Sequence, residues 1–296
     1  MRRVLLILFG LLVTLPAMAG AQKPVRFGLT AVVVRENLRF FDDMSRYLSR
    51  KIGRPVTFVQ RKSYREIMDL LESGSLDFAW ICGYPYVQKR KPEYIELIAV
   101  PIFNGAPYYR SYIIVHQDSP YTDISGLRQH VFAYSDPDSN SGFLYPRYFL
   151  AANKYPLDRF FRKTFFTYNH AETVEAVAVR VADGGAVDSY IWEFLKKTNP
   201  RMAGQTRVIH ASPLFGFPPI VARRDTAADL KSAMISALTG MKDKAEGRHL
   251  LQTLYLDGFG QFNPDIFNDI REMAEKVKQM KPEFTPAGYP AVAGRK

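Results

Sequence analysis

An alternation near the start of the chain constrains the fold more than any other feature. "VRFGLTA" at 25–31 reads as a strand, and the segment 35–52 carries Leu38, Phe41, Met44, Leu48 and Ile52 on one face at helical spacing. Gly53 and Pro55 stop that helix. "VTFVQ" at 56–60 gives a second strand, followed by a helix over 63–71, a turn at "SGSL" and the apolar strand pattern "LDFAWIC" at 76–82. A β-α-β-α-β order predicts a parallel sheet, because parallel neighbours need a crossover long enough to hold a helix.

The pattern then changes. "IELIAVPIF" at 95–103 and "YYRSYIIVHQ" at 108–117 read as adjacent strands joined by Asn104, Gly105 and Pro107. The alternation restarts with "HVFAYS" as strand, 142–153 as helix, "FFTYN" as strand, 171–182 as helix and "AVDSYIW" as strand. "PPIVARR" reads as a returning strand, with helices near 227–241, 249–256 and 264–280. These runs predict two α/β lobes, each a mixed sheet flanked by helices, with passages at "VHQDSP" and "HASPLFGF". The expected limits are 22–115 plus 212–296 for one lobe and 116–211 for the other. Two lobes crossed twice by one chain suggest a hinged clamp with its ligand in the cleft.

The first residues have a different purpose. Arg2 and Arg3 precede an apolar run of about 12 residues, then Pro16 and "AMAGA", which is the pattern of a cleavable signal peptide over 1–21. The run is short of the roughly 20 residues that span a bilayer, so export to the periplasm is expected. The only cysteine, Cys82, is remote from the cleavage region, which leaves no thiol there for lipid and no partner for an internal disulfide. The formal charge is +11 and falls by two, Arg2 and Arg3, to +9 in the mature chain. That balance favours an anionic ligand or surface. Without a dense basic run beyond "QKRK" at 88–91, nucleic acid is not expected as a partner.

The chemistry concentrates at "SDPDSNSGFLYP", 135–146, which lies where a strand end leads into a helix start. Ligands gather there in open α/β sheets. Ser139, Asn140 and Ser141 present side-chain donors at a helix N-terminus that itself exposes N–H groups, and Gly142 allows a close backbone approach. Capping needs only one of them, so the stretch reads either as a cap or as an oxyanion site. Asp136 and Asp138 either point away as turn formers, or one accepts a hydrogen bond from a protonated, hydrogen-phosphonate-type ligand. In "YNHAETVEAV", Asn169 and Glu172 have capping-box spacing and place His170 in a first helical turn, where it either donates to an anion or stays idle. Asp188 either caps the next helix or meets a ligand amine. Tyr84 and Tyr86 in "CGYPYV" either wall the cleft or pack at its edge.

At these residues the chain resembles the phosphate/phosphite/phosphonate substrate-binding family of ABC transporters, over nearly all of the mature sequence. "DPDSNSGFLYPRYFL" is similar to the family's Asp-Pro-x-Ser-Thr-Ser-Gly loop, "NHAETVEAV" to its histidine at a second helix start, "GYPYV" to its glycine-to-tyrosine segment and "AVDSYIW" to its acidic segment. The resemblance implies the type II periplasmic-binding-protein fold. It also implies that Ser139, Asn140, Ser141 and His170 hold the oxyanion, that Tyr84 and Tyr86 line its organic side, and that Asp188 meets an amine where the ligand has one. Asn140 stands where threonine is usual, and "GYPYV" is shorter than the common spacing; the amide still donates to an oxyanion. A monomeric periplasmic protein that delivers a small oxyanion to a membrane permease is the expected function, with a sensor kinase as the alternative partner. A ferric-ion clamp using Tyr108 and Tyr109 is a weaker alternative. No Gly-x-Ser-x-Gly, His-Glu-x-x-His or phosphate-loop lysine motif occurs, so neither an enzyme nor a cofactor is expected.

Overall fold

The computed structural model describes residues 23–30, 38–88, 94–157 and 159–279. The expected signal peptide, the first residues of the first expected helix and most of "QKRK" lie outside them. The leading alternation forms β1 (Val25–Leu29), α1 (Leu38–Ile52), β2 (Val56–Gln60), α2 (Tyr64–Glu72) and β3 (Phe78–Trp80), followed by α3 (Gly83–Gln88). Next come β4 (Ile95–Ile102), β5 (Tyr108–Tyr109), β6 (Ser111–His116), β7 (Val131–Tyr134), α4 (Tyr145–Ala152), β8 (Lys163–Phe166), α5 (His170–Ala178) and β9 (Gly184–Asp188). The rest is α6 (Ser189–Thr198), α7 (Pro200–Ala203), β10 (Thr206–Ala211), β11 (Phe215–Gly216), β12 (Ile220–Arg223), α8 (Ala228–Thr239), α9 (Ala245–Thr253), β13 (Gly258–Gly260) and α10 (Asn268–Gln279).

The strands form a six-stranded sheet in the order β13-β4-β12-β3-β1-β2 and a five-stranded sheet in the order β10-β6-β9-β7-β8. In the first, β1 pairs in parallel with β2 and β3, as the alternation requires, and β12 returns antiparallel to β3 and β4. In the second, β7 runs parallel to β8 and β9, while β6 is antiparallel to β9 and β10. Phe41, Met44 and Leu48 of α1 are buried with Val25, Phe27 and Leu29 of β1, so the helical spacing in the sequence marks the packed face. On the second sheet, Phe132 stacks on Phe161 at 4.2 Å over a core that includes Ile113 and Phe160.

One expected strand divides. Asn104 (φ 51°) and Gly105 (φ 76°) form the anticipated turn, closed by a bridge between Phe103 and Ala106. The returning strand stops at Tyr109, because Arg110 gives its N–H to Ser189 Oγ (2.9 Å) and its carbonyl to the N–H of Ser189 (3.0 Å). Ser111–His116 then joins the second sheet. The runs read as adjacent strands therefore lie in different sheets, and the first passage precedes Ser111 rather than falling at "VHQDSP" as expected. β5 pairs instead with β11 on the return passage, Tyr109 opposite Phe215, so a two-stranded ribbon connects the two sheets.

Candidate functional site

The 135–146 segment leaves the end of β7. Ser135 Oγ donates to Ala186 O (2.8 Å) and lies 3.0 Å from Thr173 Oγ1, which ties the base of the loop to β9 and α5. Ser139 Oγ accepts from the N–H of Gly142 (2.9 Å), so it does cap, and its own O–H is left to donate elsewhere. The following turn, Asn140–Leu144, is a π-helix: Leu144 N–H reaches Ser139 O (3.0 Å) and Tyr145 N–H reaches Asn140 O. Pro146 accounts for the wide turn. It has no N–H for the carbonyl of Ser141 or Gly142, and these accept instead from Ser111 Oγ (2.6 Å) and Ser135 N–H (3.2 Å). Wide turns of this kind concentrate at functional sites. Gly142 is required by Ser135: a Cβ would stand 2.5 Å from Ser135 Cβ and 2.7 Å from its Oγ. The close approach that the glycine allows is thus to a neighbouring side chain.

The structure brings Ser139, Asn140, Ser141, His170 and Asp188 together; the first three are fully buried and the other two only 1% exposed. His170 opens α5 behind Asn169, whose side chain caps Ala171 N–H at 2.8 Å. The expected capping box with Glu172 is not the arrangement found, because Asn169 N–H goes to Thr167 Oγ1 (3.4 Å). His170 Nδ1 accepts from Asp188 N–H at 3.1 Å, which fixes the proton on Nε2 and aims that donor towards Ser139 Oγ, 3.5 Å away. Burial lowers the His170 pKa to about 3, so the ring is neutral. Asp188 caps α6 by accepting from Tyr190 N–H (2.8 Å). Burial lifts its carboxyl to about 8 and that of Asp136 to about 7, so neither sets a full negative charge against an anion at neutral pH.

Groups on the first sheet and the ribbon close over the turn. Asn140 N–H donates to Cys82 Sγ (3.2 Å), and Asn140 Nδ2 donates to the Tyr109 hydroxyl (3.0 Å). Burial pushes the Cys82 thiol up to about 11, which suits a packed acceptor better than a nucleophile. Asn140 Oδ1, Ser141 Oγ and the Tyr64 hydroxyl are three of the five buried side-chain atoms without a hydrogen-bond partner among the described residues, the others being Arg54 Nε and Arg223 Nε. Tyr64 is tied to the same loop through its backbone N–H, which donates to Asp136 Oδ2 at 3.1 Å, and burial raises its phenol well above the usual value. An unpaired buried polar group costs roughly 1–3 kcal/mol, so two on one turn, Asn140 Oδ1 and Ser141 Oγ, mark a place that can take a polar ligand.

Tyr84 and Tyr86 lie on α3, which packs against the 140–144 turn. Tyr84 is half-buried, and burial raises its phenol. The ring of Tyr86 lies 4.9 Å from that of Phe267. Tyr108 and Tyr109 differ in burial as alternating strand residues do, so they do not converge on one ion. Asp136 and Asp138 both reach α2 rather than the space between Ser141 and Asn140. Sequence reasoning did not single out Tyr64, whose hydroxyl is buried and unpaired. Its one signal was position, at a helix start beyond the C-terminal end of β2.

The family described as ABC transporter, phosphonate, periplasmic substrate-binding protein matches residues 27–266. The chain is 26% identical over 250 residues to the phosphonates-binding periplasmic protein of Escherichia coli (strain K12), covering 81% of this chain and 72% of that protein. It is 22% identical over 258 residues to a probable ABC transporter phosphite binding protein of Prochlorococcus marinus (strain MIT 9301), covering 81% and 85%. Among solved structures, the binding protein component of an ABC phosphonate transporter from Pseudomonas aeruginosa aligns with a TM-score of 0.80 at 24% identity, covering 86% of this chain and 87% of that one. The P. marinus protein in complex with methylphosphonate aligns with a TM-score of 0.78 at 20% identity, covering 87% and 99%. These likenesses give the two-lobed type II fold, and the match over most of the sequence places the chain in the phosphonate periplasmic substrate-binding protein family of ABC transporters.

Proposed function

We propose that this protein is exported to the periplasm, encloses a small phosphorus oxyanion between two lobes and delivers it as a monomer to a membrane ABC permease. The lobes are built on the two sheets, and the β5–β11 ribbon is the hinge between them. The reading is supported above all by the unpartnered Asn140 Oδ1 and Ser141 Oγ on one buried turn, with the unpartnered Tyr64 hydroxyl on the helix whose start Asp136 holds. His170 Nε2–H, the hydroxyls of Ser139 and Ser141, and the amide of Asn140 then hold the oxygens through charge-assisted hydrogen bonds. The Tyr109 hydroxyl, already bonded to Asn140, and the unpaired Tyr64 hydroxyl are the phenols that meet the anion, and Tyr84 and Tyr86 on α3 line the ligand's organic side. Asp188 is the buried carboxyl that an amine-bearing ligand meets. The basic mature chain steers anions towards the cleft. No turnover is part of this function.

Calorimetric titration after refolding, which strips carried-over ligand, tests the reading. The panel is methylphosphonate, 2-aminoethylphosphonate, phosphite, phosphate and methanesulfonate. A one-to-one response to a phosphorus compound, lost in the Ser139→Ala/Ser141→Ala variant, is expected. No response to any phosphorus compound, or an affinity untouched by the serine changes, refutes the site.

A further inference from the structure

The two aspartates of "SDPD" make contacts that oxyanion binding does not use. Asp136 Oδ2 accepts from the N–H of Tyr64 at 3.1 Å, and Asp138 Oδ1 receives Arg65 at 2.8 Å. Both partners open α2, which packs on the first sheet, whereas both aspartates belong to the loop after β7 of the second. Asp136 and Asp138 are 1% and 4% exposed; the tie to Tyr64 is buried, and that to Arg65, whose side chain is 31% exposed, is partly so. The aspartates also brace each other, since Asp136 Oδ1 accepts from Asp138 N–H (2.8 Å). The tie has a direction. An α2 N-terminus carries free N–H groups and partial positive charge; Ser63 satisfies the N–H of Glu66, and Asp136 takes that of Tyr64. The residue held is the one whose buried hydroxyl lacks a partner.

Resting on the proposed reading of the pocket, we infer that Asp136 and Asp138 are positioning residues that draw the first turn of α2 onto the oxyanion turn and thereby deliver the Tyr64 phenol to the ligand. The serine turn and His170 select the anion from the second sheet. The aspartates make closure over it favourable without touching it. Asp136 and Asp138 therefore act on release more than on capture.

The test uses the full mature protein with methylphosphonate, in the parent, Asp138→Arg, Arg65→Asp, the charge-swapped double variant, and Tyr64→Phe alone and with Asp138→Arg. Asp138→Arg is expected to weaken binding about tenfold or more, through faster dissociation with the association rate nearly kept, and the charge swap to recover most of the loss. Tyr64→Phe is expected to cost the parent affinity and to cost Asp138→Arg much less, because the phenol is already misplaced there. A loop-structuring role alone would lower stability without that coupling and without rescue by the swap. An affinity in Asp138→Arg within twofold of the parent, or an equal Tyr64→Phe penalty in both backgrounds, overturns the inference. A ligand-free readout separates this from failure of the pocket reading. Cys82 is covered by Asn140 across the same junction, so its alkylation should quicken in Asp138→Arg and slow again in the swap. Unchanged alkylation across those variants overturns the inference even if methylphosphonate proves to be the wrong ligand.

Discussion

Gly142→Ala places one methyl group where the oxyanion turn meets the strand that supports it. The new Cβ would lie 2.5 Å from Ser135 Cβ, 2.7 Å from Ser135 Oγ and 3.0 Å from Ser139 Oγ, whereas carbon atoms rest at about 3.5–4.0 Å. Roughly 1 Å of movement is required. Ser135 cannot supply it, because its hydroxyl is bonded to Ala186 O and beside Thr173 Oγ1 within a fully buried site. The turn must therefore lift, weakening Ser135 N–H to Gly142 O and Gly142 N–H to Ser139 Oγ. Overpacking costs about 1–3 kcal/mol and each weakened bond up to about 1 kcal/mol, so a loss of roughly 2–4 kcal/mol is expected. Urea unfolding should show a lower midpoint at constant slope, and titration should show affinity falling at least about tenfold, because the displaced donors no longer converge. Ser135→Gly removes the obstructing atoms, so the double variant should be more stable than additivity predicts by about 1 kcal/mol or more. A Gly142→Ala protein within about 0.5 kcal/mol of the parent, with unchanged affinity, would refute the argument that this contact sets the site.

Ligand-free stability should fall as pH rises from 6.5 to 8. Asp188 keeps its proton to about 8 and Asp136 to about 7 when folded, against an ordinary 3.8, so the folded state binds the extra protons, while His170, held near 3, opposes them only through the half of unfolded rings still protonated at 6.5. Asp188→Asn should flatten the slope, and urea midpoints that rise over the same range would contradict the assignment. The His170 contribution has the opposite sign to that of the carboxyls throughout and grows below 6.5, where the unfolded ring takes a proton that the folded ring refuses, so it offsets part of the carboxyl contribution there. Tyr64→Phe should leave stability equal or higher, since it removes a buried hydroxyl without a partner, yet weaken ligand binding about tenfold; a clear loss of stability with intact affinity would exclude the phenol as a ligand group. Alkylation of Cys82, 1% exposed in the closed arrangement, should slow markedly when methylphosphonate is added, and equal rates with and without ligand would argue against closure around it.

The alternation over 25–82 was legible because parallel strands are buried on both faces and appear as apolar runs between amphipathic helices. The buried turn at 139–144 was legible as a candidate site because hydroxyl and amide donors crowd one helix start beside a glycine and a proline. The break at Arg110 was hidden, since the apolar pattern continues from Tyr109 into β6 while the pairing partner changes from β11 to β9 and β10. A sequence pattern records which residues are buried, not against which sheet. Tyr64 was hidden for a related reason. A tyrosine after a capping serine reads as core, and only the unpaired hydroxyl in the folded chain distinguishes it. The aspartates of "SDPD" showed turn chemistry but not the helix 72 residues away in sequence that one of them caps.

A crystal structure of the mature protein grown with methylphosphonate is the most direct test of the proposed site. The account predicts phosphonate density enclosed by the 139–141 turn, with oxygens within hydrogen-bond distance of Ser141 Oγ, the Asn140 side chain, His170 Nε2 and the Tyr64 hydroxyl. A phosphonate seated elsewhere, or a closed cleft whose Ser141 and Tyr64 hydroxyls remain unpaired beside an ordered ligand, would contradict it.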